Sequence, residues 1–315
     1  MTALLDPPAR AATVPPAADP GPGPRLRVLD ARPGASVQDP GRPGLAHLGV
    51  TASGPVDRAA FATANRLVGN RPGEAAVEVT LGGLAVVLDV PRWVAVTGAP
   101  VPVTLDGCPV ADSRCVRVPA GARLRLGIPP RGLRSYLAVG GGIRPAPVLG
   151  SRARDSLTGL GPPAVAPGVD LPLGPVPGEP PAVPVELAAP RLPGPATRVR
   201  FHWGPRDGVL GPADRALLRR APWRVSGHCD RVGIRLTGAT LAVGDRSLPS
   251  EGVPLGAVQV PPSGEPILFL ADHPVTGGYP VVGVVADADI DLLGQLRPGD
   301  PLRLDAIPSR RDTEG

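Results

Sequence analysis

Lysine is absent from this 315-residue chain, so all 33 of its basic residues are arginines. Without lysine the chain cannot form a side-chain Schiff base, supply a P-loop lysine or carry biotin covalently. A bound phosphate or carboxylate would have to be held by arginine, by backbone N–H groups or by a metal ion. The arginines are scattered among acidic residues, which argues against a nucleic-acid partner despite the net charge of +5.

Cysteine and long apolar runs are also scarce. The three cysteines, Cys108, Cys115 and Cys229, are odd in number and lack CxxC spacing, so we predict neither a disulfide framework nor a zinc or other metal site. No segment has the pattern of a signal peptide, and no apolar run approaches the ~20 residues that cross a membrane. We therefore expect a cytoplasmic protein that uses no membrane partner.

Aromatic residues make up only 3% of the chain, whereas 42 glycines and 46 prolines punctuate it. The core must therefore be built from valine, leucine, alanine and isoleucine. Short runs of these residues, separated by turn signals about ten residues apart, predict many short strands. This pattern is typical of a mainly β protein built as a sandwich or barrel, with a few short helices.

The composition also predicts how the chain is divided. We expect a disordered Pro/Ala-rich tail over 1–24, an N-terminal β lobe over 25–158 and a Pro-rich linker over 159–196. A C-terminal β-barrel lobe is expected over 197–308, followed by a short tail over 309–315.

Three helices are predicted within these lobes, over 57–69, 211–222 and 287–296. The first has Asp57 at its positive end and Gly69 at its close, which are residues that favour helix ends.

Two segments rich in glycine and proline, 36–70 and 250–280, carry scattered polar residues on closely spaced turns. Such turns fix the positions of backbone and polar groups rather than filling a core. We predict that the two segments meet at one surface cleft, lined by arginine and aspartate and suited to small anions.

Individual residues in these segments allow two interpretations each. Asp39 and Arg42 could present a carboxylate and a guanidinium to a ligand, or could form an ion pair that braces their own loop. Gly277, Gly278 and Tyr279 could bring bare backbone and a phenol to a ligand, or could form a hairpin turn with a packed tyrosine.

Histidine and cysteine offer weaker signals. His228 and Cys229 are adjacent in a predicted strand, so their side chains point to opposite faces and do not form a nucleophile–base pair. His47, His202 and His273 are isolated in the sequence and are interpreted as structural.

A series of motifs covers almost the whole chain between residues 25 and 305. They include VQDPGRPGLAHLGVTASGPVD, ANRLVGN, AAVEVTLGG, RGLRSYLAVGGGI, VSGHCDRVGIRLTG, SEGVPLGAVQVPPSGEPI, LADHPVTGGYP and LGQLRPGD. In these motifs the chain resembles the family of 5-oxoprolinase C-subunits, also described as allophanate hydrolase subunit 2 or as biotin-dependent carboxyltransferases. It is also similar to the C-terminal half of the urea carboxylase carboxyltransferase domain.

The resemblance implies two lobes of cyclophilin-like β-barrel type. It also implies an ATP-dependent complex with subunit-B-like and subunit-A-like partners, in which 5-oxoproline is opened to L-glutamate. ATP and Mg²⁺ would be bound with the partner subunits. Because a lactam is a poor electrophile, phosphorylation of its amide oxygen, at a site shared with the subunit-B-like partner, would give a better leaving group, and arginines could stabilise the charge that develops.

On this resemblance we expect a catalytic group of Asp39, Arg42, Arg231 and Asp272. Arg42 or Arg231 would hold a carboxylate or phosphate, and Asp39 or Asp272 would help to hold a metal or position a nucleophile. The residues expected to bind the small-molecule substrate are Gln38, Asp57, Gln259, Gly277, Gly278 and Tyr279.

Two other functions remain open at this point. The chain could be a carboxyltransferase component of urea or allophanate type that uses biotin carried by another protein. It could instead be a non-catalytic regulator that binds a kinase-inhibitor-like partner.

Overall fold

The computed structural model describes residues 23–110, 114–176, 190–195, 197–244 and 248–308. The described chain folds into two β lobes with short helices, which confirms the expected mainly β fold class. Most of the predicted N-terminal tail, the middle of the predicted linker and the predicted C-terminal tail lie outside the described residues.

In the described residues, the first lobe consists of two sheets that share one core. The six-stranded sheet has the order β11-β1-β4-β9-β6-β7, and the five-stranded sheet has the order β2-β3-β10-β5-β8. Their strands are β1 (Arg25–Asp30), β2 (Ser36–Gln38), β3 (Ala76–Thr80), β4 (Leu84–Leu88), β5 (Arg92–Gly98), β6 (Val103–Leu105), β7 (Cys108–Val110), β8 (Cys115–Val118), β9 (Arg123–Leu126), β10 (Arg134–Val139) and β11 (Asp170–Pro172).

The residue pattern explains how this core forms. Strand β9 reads Arg-Leu-Arg-Leu, and its arginines are exposed while Leu124 and Leu126 are buried, because successive side chains of a strand point to opposite faces. Strand β10 is buried along its whole length because the first sheet covers one of its faces and a helix covers the other.

That helix is α1 (Arg58–Leu67), and it confirms the helix predicted over 57–69. Asp57 is its N-cap, and the Asp57 side chain accepts a hydrogen bond from the N–H of Ala60 at 2.9 Å. Ala64 packs with Ala95 and Ala138 of the sheet, and these small side chains allow a close approach between helix and strands.

The second lobe is a closed barrel with the strand order β12-β19-β16-β17-β14-β13-β20 among the described residues. Phe201, Trp223, Ile234 and Leu268 lie in its core. The elements of this lobe are β12 (Arg198–Trp203), α2 (Pro212–Arg220), β13 (Trp223–Cys229), β14 (Gly233–Thr237), β15 (Glu251–Gly252), β16 (Ala257–Gln259), β17 (Ile267–Phe269), β18 (Thr276–Gly277), β19 (Val281–Val285), α3 (Asp287–Leu293) and β20 (Pro301–Ala306).

The helices α2 and α3 confirm the two helices predicted for this lobe. Of the helices in the described part of the chain, none combines the length and apolar composition needed to cross a membrane.

The first lobe continues past residue 158, where the sequence predicts a linker. Strand β11 pairs antiparallel with β1, and Val165, Leu171 and Leu173 are buried in the core of the first lobe. Strand β11 is short and lies among many prolines, so its segment has the composition of a linker. In the structure it is nevertheless the edge strand of the six-stranded sheet, a position that tolerates proline.

We expect Leu126→Ala to lower the free energy of unfolding by about 2–5 kcal/mol, because it leaves a cavity in the core of the first lobe. Leu126 is fully buried, whereas Ile128, two residues further on, is 58% exposed. Ile128→Ala is therefore the matched control, expected to change stability by less than about 0.5 kcal/mol. Denaturant unfolding measures both, and equal losses would contradict the assigned core.

Candidate functional site

The two segments rich in glycine and proline contact each other between the lobes through Ser53 and Asp272, and two cavities lie beside this contact. The first, here the apolar cavity, has a volume of about 430 Å³. It is lined by Pro40, Ala52, Ser53, Pro55, Val56, Arg58, Phe61, Ala62, Asn65, Arg66, Asn70, Pro72, Gly73, Leu255, Ala271, His273 and Ile290. Both lobes contribute to it, and most of its lining side chains are apolar.

The second cavity, here the Arg42 cavity, has a volume of about 380 Å³. Its lining residues are Arg42, Gly44, Leu45, Ala46, Val50, Thr51, Ala52, Gly252, Val253, Pro254, His273, Val275 and Thr276. Ala52 and His273 line both cavities, so the cavities are neighbours on either side of these two residues.

A buried ionic network joins the lobes beside these cavities, and Arg231 is at its centre. The Nε and Nη2 atoms of Arg231 donate to the two oxygens of Asp272 at 2.8 and 2.9 Å. Its Nη1 donates to Oε1 of Glu78, across the lobe boundary, at 2.6 Å. Its Nη2 also donates to the carbonyl of Gly54 at 2.6 Å. Arg231, Asp272 and Glu78 are all buried, so this is a shielded contact between the two lobes.

Asp272 is also bound from the first lobe by hydroxyl groups. Ser53 Oγ donates to its Oδ1 at 2.7 Å, while the N–H and Oγ of Ser156 donate to its Oδ2 at 2.8 and 2.7 Å. Ser53 has φ +55°, a conformation that is uncommon for a residue other than glycine. The strained backbone at Ser53 thus places its hydroxyl against Asp272, at the edge of the apolar cavity.

On the other side of Arg231, Glu78 accepts from several donors of the first lobe. Its Oε2 accepts from the hydroxyl of Tyr136 at 2.7 Å and from the N–H of Val56 at 3.1 Å. Arg134 Nε lies 3.4 Å from Glu78 Oε1, and both side chains are at most 1% exposed.

The network continues from Tyr136 to Asp57 and then back to the second lobe. The Tyr136 hydroxyl accepts from the N–H of Asp57 at 2.8 Å, and Asp57 Oδ2 accepts from Gln295 Nε2 at 2.6 Å. Gln295 Oε1 in turn accepts from the N–H groups of Leu133 and Arg134 at 2.9 and 3.0 Å. Gln295 therefore links the second lobe to two places in the first lobe, the start of strand β10 and the N-terminus of α1.

Electrostatics favour the charged forms at the centre of the network. Burial alone would raise the pKa of Glu78, but the charges of Arg231 and Arg134 outweigh burial and hold that pKa below its usual value. Burial likewise opposes ionisation of Asp272, yet Arg231 and the two serine hydroxyls lower the pKa of Asp272. Two carboxylates with lowered pKa values are poor proton acceptors, so this arrangement is suited to holding the lobes in position.

Asp57 differs from these carboxylates because, among the described residues, its side chain accepts hydrogen bonds from Ala60 and Gln295 and from no cation. Burial raises the pKa of Asp57 to about 6, although hydrogen bonds from Gln295 and Ala60 partly oppose the shift. Predicted as a substrate-binding residue, Asp57 lies 5% exposed at the N-cap of α1 and bonds to protein groups.

The three predicted residues at 38–42 contact the loop at 148–156. Asp39 Oδ1 accepts from Ser151 Oγ at 2.5 Å, and Asp39 Oδ2 accepts from the N–H of Arg152 at 2.6 Å. Gln38 Nε2 donates to the carbonyl of Arg154 at 2.9 Å.

Arg42 donates to the carbonyl of Ala153 through Nη2 and to that of Val148 through Nε at 3.4 Å. Within the described ranges no ion pair links Arg42 to Asp39. Each of the two side chains instead forms hydrogen bonds with the loop at 148–156.

The predicted residues of the second segment form a local cluster. Gln259 is buried and its Nε2 donates to the carbonyl of Tyr279 at 3.2 Å. A Cβ atom at Gly277 would lie only 2.8 Å from Gln259 Nε2, so glycine there leaves room for the amide. Gly278 connects this strand to Tyr279, a residue that is 45% exposed and lines neither cavity. Thr276, three residues before Tyr279, does line the Arg42 cavity.

Sequence reasoning missed several residues of this site. The sequence does contain one signal for Glu78, which is the acidic residue between two valines of the strand Ala-Val-Glu-Val-Thr; the structure buries this glutamate together with both valines. Ser53 and Ser156 gave none, because their contacts with Asp272 join parts of the chain more than 100 residues apart. His273, interpreted from sequence as structural, lines both cavities, and its Nδ1 lies 2.9 Å from the carbonyl of Pro274.

The described side chains provide no cluster of ligands that would hold a Mg²⁺ ion by itself. No group of three or more histidine, cysteine, aspartate or glutamate residues in the described ranges is placed to hold a metal. Both oxygens of Asp39 and both of Asp272 already accept hydrogen bonds from protein donors. Neither aspartate therefore has an oxygen directed at an open metal position.

Comparison with known proteins agrees with this architecture. The family model "Carboxyltransferase domain, subdomain A and B" matches residues 48–306. The chain is 35% identical to the 5-oxoprolinase C-subunit of Escherichia coli over 299 residues, which cover 92% of this chain and 95% of that protein. It is 30% identical to the 5-oxoprolinase C-subunit of Haemophilus influenzae, with coverage of 90% and 91%.

A solved structure is also similar. The crystal structure of the K. lactis urea amidolyase matches with a TM-score of 0.80 and 28% identity. The match covers 90% of this chain but only 19% of the amidolyase chain, so this chain corresponds to a small part of that protein.

We expect Glu78→Gln to lower the free energy of unfolding by about 3–5 kcal/mol, because it leaves Arg231 and Arg134 buried with too little negative charge. The matched control is Asp305→Asn, which breaks a surface pair with Arg198 and should cost less than about 1 kcal/mol. Chemical denaturation compares the two variants. Similar small losses in both would show that the network does not hold the lobes together.

A pH-dependent contribution to stability is expected from Asp57. Because its pKa is raised to about 6 in the folded state, the folded protein binds this proton more tightly than the unfolded chain does. Stability from this group is thus present below about pH 4 and is lost as the pH rises towards about 6, by roughly 3 kcal/mol in total.

The measurement is the free energy of unfolding between pH 4 and 7 for the wild type and for Asp57→Asn. Asparagine keeps an N-cap oxygen but does not titrate, so the variant should lack this fall. The difference in free energy of unfolding between the two proteins should therefore change as the pH rises from 4 to 7. A difference that stays the same at every pH would contradict the raised pKa of Asp57.

Proposed function

We propose, from the premise that this chain belongs to the family of carboxyltransferase domains with subdomains A and B, that it is a subunit of a cytoplasmic 5-oxoprolinase. The complex would open 5-oxoproline to L-glutamate at the expense of ATP, together with subunit-B-like and subunit-A-like partners. The observation that carries the proposal is the similarity to the 5-oxoprolinase C-subunit of E. coli, which extends over 92% of this chain and 95% of that protein.

The division of labour in this proposal follows from the side chains present. The described residues offer no set of Mg²⁺ ligands, so ATP and its metal are assigned to a site completed by the partner subunits. Phosphorylation of the lactam oxygen would take place there. This chain would contribute cavities between its lobes, which are concave, largely apolar and large enough for a small molecule.

The predicted site residues are assigned two kinds of role. Arg231, Asp272 and Asp57 are positioning residues in this proposal, since their polar atoms are bonded within the protein and their network fixes the cavity walls. Asp39 and Gln38 position the loop at 148–156 in the same way. Gln259, Gly277, Gly278 and Tyr279 would shape the second-lobe wall that ends in Thr276.

A carboxyltransferase of urea type is the second candidate. The similarity to the K. lactis urea amidolyase, with a TM-score of 0.80, supports it. Because the chain has no lysine, biotin would have to be carried by another protein. The shorter coverage of that relative, 19% of its chain, makes it a weaker support than the full-length similarity to the 5-oxoprolinase C-subunit.

The test is to purify this chain together with its subunit-A-like and subunit-B-like proteins and to measure L-glutamate released from 5-oxoproline. We expect release that requires ATP and all components, with none from this chain alone. A parallel assay supplies urea, bicarbonate, ATP, a biotin carboxylase and a biotinylated carrier protein. A folded, complete assembly that carboxylates urea and leaves 5-oxoproline intact would replace the first function with the second.

A further inference from the structure

Arg42 is a buried cation without a counter-ion among the described residues. Its side chain is 2% exposed, and its hydrogen bonds go to the carbonyl groups of Val148 and Ala153. Its Nη1 atom has no hydrogen-bond partner, and no carboxylate in the described ranges lies close enough to form an ion pair with it.

This situation contrasts with that of Arg231. Arg231 is equally buried, but its guanidinium is bonded to Asp272, Glu78 and a carbonyl, so its charge is compensated. Burying a guanidinium without compensation is costly, and a charge-assisted bond to an anion would remove much of that cost. Of the two arginines expected to hold an anion, Arg42 is therefore the one with capacity to do so.

The cavity that Arg42 lines has matching electrostatics. Arg42 and His273 are the ionisable side chains of its lining, in which no acidic residue of the described ranges takes part. Thr276 is exposed at the second-lobe side and brings a hydroxyl group that can donate to an anion. Residues 43–49, which follow Arg42 in the chain, are largely exposed.

The rest of the lining limits the class of anion. Leu45, Val50, Val253 and Val275 give the cavity apolar walls on both lobes. The described lining contains a single guanidinium, which matches the one negative charge of a carboxylate better than the two charges of a phosphate dianion. The apolar walls suit the carbon skeleton of a small acid.

We propose that the Arg42 cavity binds the carboxylate of a small organic acid, with the guanidinium of Arg42 as its anchor. The identity of that acid rests on the proposed function, in which it is 5-oxoproline. The lactam ring then packs against the valines of the cavity, and Arg231 takes no part in binding the ligand.

Calorimetric titration tests this assignment without turnover. The full chain, alone and assembled with its partners, is titrated with 5-oxoproline and with pyrrolidin-2-one, the same lactam without the carboxylate. We expect pyrrolidin-2-one to bind about ten- to a hundredfold more weakly, since it lacks the charge-assisted bond. Equal affinity for the two compounds, or no binding of 5-oxoproline to either form of the protein, overturns the proposal.

Variants identify the anchor. Arg42→Gln should weaken 5-oxoproline binding to the level of pyrrolidin-2-one and leave pyrrolidin-2-one binding unchanged. Arg71→Gln is the matched control, because Arg71 is exposed and lies in neither cavity lining, and it should alter neither affinity. If Arg42→Gln does not fold, Arg42→Lys replaces it, with a smaller loss of the same ligand dependence expected. An unchanged 5-oxoproline affinity in the folded variant contradicts the role of Arg42.

Two further measurements separate this proposal from others. Inorganic phosphate should compete with 5-oxoproline only weakly, and tight competition would make the site a phosphate site instead. Glutamate release by the complete assembly, together with Arg42-independent binding, would overturn the carboxylate site while the proposed function stands. Arg42-dependent binding of 5-oxoproline without any ATP-dependent release of glutamate would support the carboxylate site and contradict the proposed function.

Discussion

The contact of Arg231 with Asp272 and Glu78 fixes how the two lobes meet. Asp272 follows strand β17 in the second lobe, and Glu78 lies on strand β3 in the first. All three side chains are shielded from water, so none of the charges can lose its partner without a large desolvation cost. The lobes are therefore held in one relative position by a contact that tolerates little displacement.

The cavities between the lobes depend on that position. Ser53 and Gly54, in the middle of the first segment, bond to Asp272 and Arg231. Ser53 lines the apolar cavity, and its neighbour Ala52 lines both cavities. Ser156 ties the loop at 148–156 to the same carboxylate. The polar residues that sequence alone suggested as a catalytic group are thus divided by the structure. Arg231 and Asp272 hold the lobes together, and Arg42 lines a cavity without a carboxylate partner among the described residues.

Local patterns accounted for much of the fold. The alternation of Arg123 to Leu126 and the capping of α1 by Asp57 are consequences of short-range geometry, so the strand and the helix could be predicted. The linker prediction failed at β11 because prolines and glycines in a sheet edge have the same composition as prolines and glycines in a loop. The role of Glu78 could not be predicted either, since a glutamate in an apolar strand shows that a partner is needed without showing which cation supplies it.

The sequence by itself determined the mainly β class, the helix positions, the absence of lysine chemistry and the two turn-rich segments that border the cavities. These features depend on residue type, spacing and backbone conformation, which act over a few residues. Only the tertiary structure decided which arginine is paired and which is not, because charge compensation depends on groups brought together from distant parts of the chain. Arg231 meets Glu78 across 153 residues of sequence, whereas Arg42 meets carbonyl groups and no carboxylate in the described ranges.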